Sequence, residues 1–150
     1  MIWKKLLENN SLQKKEVSFE EVNRVLNKAY KSLRAAEFLL EKDVDESVFK
    51  EAYDAMILAS RALMFSLGVR PRTIGAHTIT INFCELYLGK KFKTLIEKFK
   101  KMKKKRNYLI YGIGLVISKT EAENALKTAK EFIEKIKYII QANNPQKKLI

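Results

Sequence analysis

DESVFKEAYDAMILASRALMFSLG, residues 45–68, carries two apolar stripes. Val48, Ala52, Ala55, Met56, Ala59 and Leu63 recur at three- and four-residue steps and form one. Phe49, Tyr53, Ile57, Ser60, Met64 and Leu67 form the other. A helix that faces water on one side needs a single stripe, so two stripes predict a helix covered on both sides and therefore central. Asp45 is placed to cap its start. Gly68 is a natural stop, with Pro71 just beyond.

The segments on either side read as helices of ordinary surface type. Upstream, Ser18 and Glu21 have capping-box spacing, and Val22, Val25, Leu26, Ala29, Leu33, Ala36 and Leu40 follow at helical steps to about Lys42. Downstream, Val69 to Gly75 reads as a connecting loop. A shorter helix is expected from about Ala76 to Leu88, ended by Gly89, although its Thr-Ile-Thr-Ile run also has strand propensity. Another runs from about Lys90 to Tyr111, ended by Gly112. The last starts at Ser118 or Thr120, each with a glutamate three residues on, and buries Ala122, Ala125, Leu126, Ala129, Phe132, Ile133, Ile136 and Ile140. The first fifteen residues add a short amphipathic turn through Ile2, Trp3, Leu6 and Leu7, and the tail after Asn143 is expected to fray. The expected fold is all-α: an up-and-down antiparallel bundle of about five helices, one domain over residues 1–150 with its core at about 18–140.

Composition bounds the function. A chain of 150 residues can bury a core without disulfides or a structural metal. Hydrophobic residues at 47 % with charged residues at 31 % exclude a disordered chain and a membrane protein. Cys84 stands alone, which excludes an internal disulfide and a cysteine-based zinc site; it reads as a small buried hydrophobe in a reducing, cytoplasmic setting. No cofactor or metal set is apparent, and no targeting segment. Leu109 to Ile117, the longest apolar stretch, is too short to span a bilayer.

Charge is the strongest compositional signal. Thirty Lys and Arg against 17 Asp and Glu leave a formal +13. Between Lys90 and Arg106 the only acid is Glu97. Such a run attracts polyanions (RNA, DNA, nucleotides or an acidic protein) or is simply a solvated lysine-rich face. One basic residue stands apart. The apolar stripe Phe92, Leu95, Ile96, Phe99, Met102 steps onto Arg106 before resuming at Leu109, Ile110 and Ile113. A guanidinium on the core seam needs a partner: an internal carboxylate such as Asp54, or a phosphate entering a groove.

Arg106-Asn107-Tyr108-Leu109-Ile110-Tyr111 resembles the signature of the HEPN family (higher eukaryote and prokaryote nucleotide-binding domains), an arginine followed after four to six positions by a histidine. Ala52-Tyr53-Asp54-Ala55-Met56 with Ala59, Arg61, Ala62 and Leu63 resembles the family's central helix. Gly68, Pro71, Thr73 and His77 resemble the loop after it, and Ala125-Leu126 with Ala129 and Phe132-Ile133 its last helix. The resemblance implies a four- to five-helix bundle that forms homodimers, often a metal-independent ribonuclease toxin paired with a nucleotidyltransferase antitoxin. It also implies two facing signature motifs across a dimer cleft. Tyr111 stands where the histidine is expected, as in a branch of the family.

On that basis the catalytic candidates are Arg106 on the phosphate, Tyr111 and Asn107. Lys100, Lys101, Lys103, Lys104 and Lys105 guide the strand, and Tyr108 stacks on a base. A phenol titrating near about 10 is a poor base at neutral pH, so His77, which matches the family's loop position, is a further candidate base. Arg106 and Tyr111 lie about 140° apart on an ideal helix and converge only at a helix end or across subunits. Each residue also has a structural reading: Tyr111 and Tyr108 as packed aromatics, Asn107 as a cap, His77 as a helix-start residue. Three functions fit. One is an RNA-binding or RNA-cleaving homodimer. Another is a non-catalytic nucleotide- or partner-binding subunit of a nucleotidyltransferase system. The third is a basic helical dimer with no ligand in the groove.

Overall fold

The computed structural model describes residues 2–112 and 116–144, and of Tyr111 the backbone alone. Within these the chain is a helical bundle: α1 (Lys5–Glu8), α2 (Phe19–Glu41), α3 (Asp45–Ser66), α4 (Ala76–Leu88), α5 (Lys93–Tyr111) and α6 (Lys119–Asn143). The central position expected for residues 45–68 is observed. α3 packs against α2, α6, α5 and α4, and both of its stripes are covered, from Val48, Ala52 and Leu63 to Phe49, Tyr53 and Met64. Its small residues explain how neighbours approach on several sides: Ala52, Ala55, Ala59 and Ala62 are all fully buried. No helix among the described residues is long and apolar enough to cross a membrane.

Local signals set most helix ends. Ser18 Oγ accepts from the Glu21 N–H at 3.2 Å and starts α2. Ser118 and Glu121 form the reciprocal box that starts α6, so Ser118 and not Thr120 is the cap. Gly68, at φ +75°, stops α3. Thr78 to Ile81 are helical despite their strand propensity, because Ile79, Thr80 and Ile81 are buried in the bundle and Thr80 Oγ1 donates to the Ala76 carbonyl.

Several expectations need correction. Asp45 is the first residue of α3 rather than its cap; Val44 holds the cap position and makes no side-chain hydrogen bond there. Val69 to Gly75 is not all loop. Val69–Pro71 (β2) pairs antiparallel with Leu12–Lys14 (β1), with Leu12 opposite Pro71. Ile110 is exposed rather than on the core seam, and a 3₁₀ turn over Lys90–Phe92 precedes α5. The N-terminal turn forms as expected at Trp3, which is buried against Phe83 with ring centroids 5.3 Å apart, but Ile2 is exposed. Ile113 and the tail from Pro145 lie outside the described residues.

Candidate functional site

The seam of α5 buries Leu95, Ile96, Phe99, Met102 and Leu109. Arg106 occupies the step between Met102 and Leu109 and is half-buried. Among the described residues no carboxylate forms an ion pair with it, so the Asp54 bridge, one of the two alternatives for this position, is not made. Its guanidinium instead lies over the ring of Tyr53 on α3, 5.6 Å from Cζ to the ring centroid. That contact keeps the cation on an apolar surface without neutralising it. Tyr53 is fully buried and is held edge-on by Phe99, at 5.8 Å between centroids.

The other end of Tyr53 reaches the start of α4. Tyr53 Oη and His77 Nδ1 are hydrogen-bonded at 2.9 Å, with the donor set by the imidazole tautomer. Three helices thus meet at one phenol, with Arg106 on its face and His77 at its hydroxyl. Asp54 and Arg61 join from α3. They stand seven residues apart on one face of that helix. Arg61 Nε is buried without a hydrogen-bond partner among the described residues. Lys103, one turn before Arg106 on α5, adds a charge felt at His77.

The protonation states follow from burial and these charges. Burial pushes the Tyr53 phenol well above its ordinary value; Arg106 and Arg61 pull it back and Asp54 adds to the rise. Burial lowers His77, and Arg106, Arg61 and Lys103 lower it further, so at neutral pH the imidazole is uncharged. Burial raises Asp54, opposed by Arg106 and Lys50. Cys84 is excluded from this chemistry. It is fully buried, and burial pushes its thiol up to about 12.

The lysine run divides by helical phase. Lys100, Lys103, Lys104, Asn107, Tyr108 and Gly112 line one open groove of about 570 Å³. Lys101 and Lys105 line a second, of about 470 Å³, together with Lys98 and residues of α6. The five lysines therefore do not form one track. Two also have acidic partners: Lys100 with Glu85 at 2.6 Å, and Lys105 with Glu121. Tyr108 is 56 % exposed, so it is not a packed aromatic. Asn107 lies within the helix, not at a cap. Lys103 belongs both to the first groove and to the surroundings of His77. Tyr111 ends α5, and its side chain lies outside the described residues.

Sequence reasoning passed over Tyr53 and Arg61. Tyr53 falls on an apolar stripe and reads as core, which it also is. Arg61 carried a signal: it and Asp54 are the two charged residues between Ala52 and Ser66, and they share one face of the central helix.

The pattern of the HEPN domain matches residues 22–139. The chain belongs to the HEPN domain family. The match spans α2 to α6 and contains the whole Tyr53, His77 and Arg106 cluster; Trp3 and β1 lie before it. Family membership carries a function related to nucleotides or RNA in general, and HEPN domains often dimerise. No curated protein matches the chain.

Proposed function

We propose that this HEPN chain binds RNA through its phosphates and cleaves it without a metal ion, acting as a homodimer. Arg106 takes the phosphate, and the groove of Lys103, Lys104 and Tyr108 carries the strand. The observation that supports this best is the Arg106 guanidinium, which lies over Tyr53 and has no carboxylate paired to it among the described residues. Arg61 and Lys103 add positive charge around the same point. A half-buried, unneutralised guanidinium is a natural ligand for a phosphate oxygen pair. Asn107 and Tyr111 are the further candidates on the motif, and Tyr111 in place of histidine supports the corresponding toxin-type branch. Its partner on this reading is a nucleotidyltransferase antitoxin.

Tyr111 also favours a second reading. A phenol at the histidine position suits a module that binds a nucleotide or a partner protein and does no chemistry. Binding of a fluorescein-labelled single-stranded RNA, followed by anisotropy in EDTA, tests the shared element. Arg106→Ala should weaken binding at least about tenfold with an unchanged melting temperature. Equal binding by the variant, or none by wild type, would sink the phosphate reading. Strand scission in the same tubes separates nuclease from binder.

A further inference from the structure

We infer that His77 is the base of this site and Tyr53 its positioning residue, a pair drawn from α4 and α3 rather than from the arginine motif on α5. The inference rests on the phosphate reading of Arg106 and adds to it the group that moves the proton. Its ground is geometric: one phenol touches both partners. The Tyr53 ring lies under the guanidinium, and its Oη is 2.9 Å from His77 Nδ1. Arg106 is also near enough for its charge to act on His77, so a phosphate held by the guanidinium lies in the same neighbourhood as the imidazole.

On this assignment Nδ1–H donates to Tyr53 Oη. Nε2 then carries the lone pair, and it has no hydrogen-bond partner among the described residues. The surroundings keep the ring ready to accept. Asp54, Arg61 and Tyr53 face this region from α3, and Lys103 and Arg106 from α5; burial and the three cations all disfavour the imidazolium. The phenol stays protonated because it is buried, so it remains a neutral orienting group.

The step balances without a metal. Nε2 takes the proton of a ribose 2′-OH, the 2′-oxygen attacks phosphorus, and the P–O5′ bond breaks. The leaving 5′-oxygen takes a proton from solvent water, and His77 returns its proton to solvent. The products are a 2′,3′-cyclic phosphate and a 5′-hydroxyl. Arg106 steadies the charge that builds on the phosphorane. A strand with 2′-O-methyl riboses is bound and not cut.

The experiment measures binding and scission together, with labelled single-stranded RNA and its 2′-O-methyl counterpart in EDTA. His77→Gln should keep RNA affinity within about twofold and lose at least about 100-fold in kcat. Tyr53→Phe keeps the ring under Arg106 and should lower kcat about tenfold at unchanged KM, since both tautomers are then populated. The acid limb of the wild-type pH profile should fall below the ordinary histidine value of about 6.5. If His77→Gln does not fold, imidazole added to His77→Gly should restore scission. His77→Gln cutting as fast as wild type would overturn the assignment and leave the phosphate cleft standing. So would Arg106-dependent binding with no scission by wild type. Absence of RNA binding by wild type removes both.

Discussion

At the residue scale, Arg106 exchanges one kind of partner for another. A carboxylate would neutralise the guanidinium, whereas the Tyr53 ring only seats it. Asp54 is the near carboxylate that does not close the pair, yet its charge still opposes those of Arg106 and Lys50. Asp54→Asn should therefore strengthen RNA binding, about threefold by anisotropy, because a competing negative charge is gone. The same variant has a pH signature. Burial raises Asp54 in the folded state, so its contribution to stability is full below the unfolded value and is lost as pH rises through the folded one. The variant should melt higher than wild type at pH 7, and the gap should close as pH approaches 4. A gap independent of pH would mean that the carboxylate is not the cause.

The lysine run is an element-scale matter. α5 is one helix with three functional faces: Leu95, Ile96 and Phe99 toward the core, Lys103 and Lys104 toward one groove, and Lys101 and Lys105 toward the other. It ends where Gly112 turns extended, at φ −100° and ψ 148°; the Gly112 N–H still donates to the Tyr108 carbonyl at 2.6 Å, and a Cβ on Gly112 would stand 2.6 Å from that same oxygen, which favours glycine there. α6 depends more on its cap. Ser118 Oγ accepts from Glu121 N–H at 3.1 Å, and Glu121 Oε1 accepts from Ser118 N–H at 3.2 Å. Ser118→Ala removes half of that box and should cost about 1 kcal/mol, seen as a fall of about 3 °C in melting temperature. Helix starts of this kind were legible in sequence because the donor and acceptor lie three residues apart.

For the whole molecule the governing quantity is the formal +13 and how the fold distributes it. The ion pairs Lys100–Glu85 and Lys105–Glu121 are partly exposed and weak, so they are no strong barrier to a polyanion. The groove that shares Lys103 with the His77 region is the better track, and salt dependence can tell the two apart. Each phosphate contact on a single strand contributes about 0.7 to the slope of log K against log salt. Replacing Lys103 and Lys104 by alanine together should reduce that slope by about 1.4, whereas Lys101→Ala should leave it nearly unchanged. The reverse result would move the strand to the groove between α5 and α6.

By itself the sequence determined the all-α bundle, its central helix and the odd position of Arg106. Stripes, caps and glycine stops act within one or two turns, which is why Ala76–Leu88 could be placed from its own residues. Only the tertiary structure decided what those residues meet. Two three-residue strands formed because Leu12–Lys14 and Val69–Pro71, far apart in the chain, come alongside each other. The helical phase of α5 against α3 and α6 divided one lysine run between two grooves. Tyr53 looked like core in the sequence and is core in the fold. It also joins His77 to Arg106, because the packing of α4 and α5 on α3 brings both within reach of its phenol. Periodicity records which face of a helix is buried; it does not record which groups from other helices share that burial.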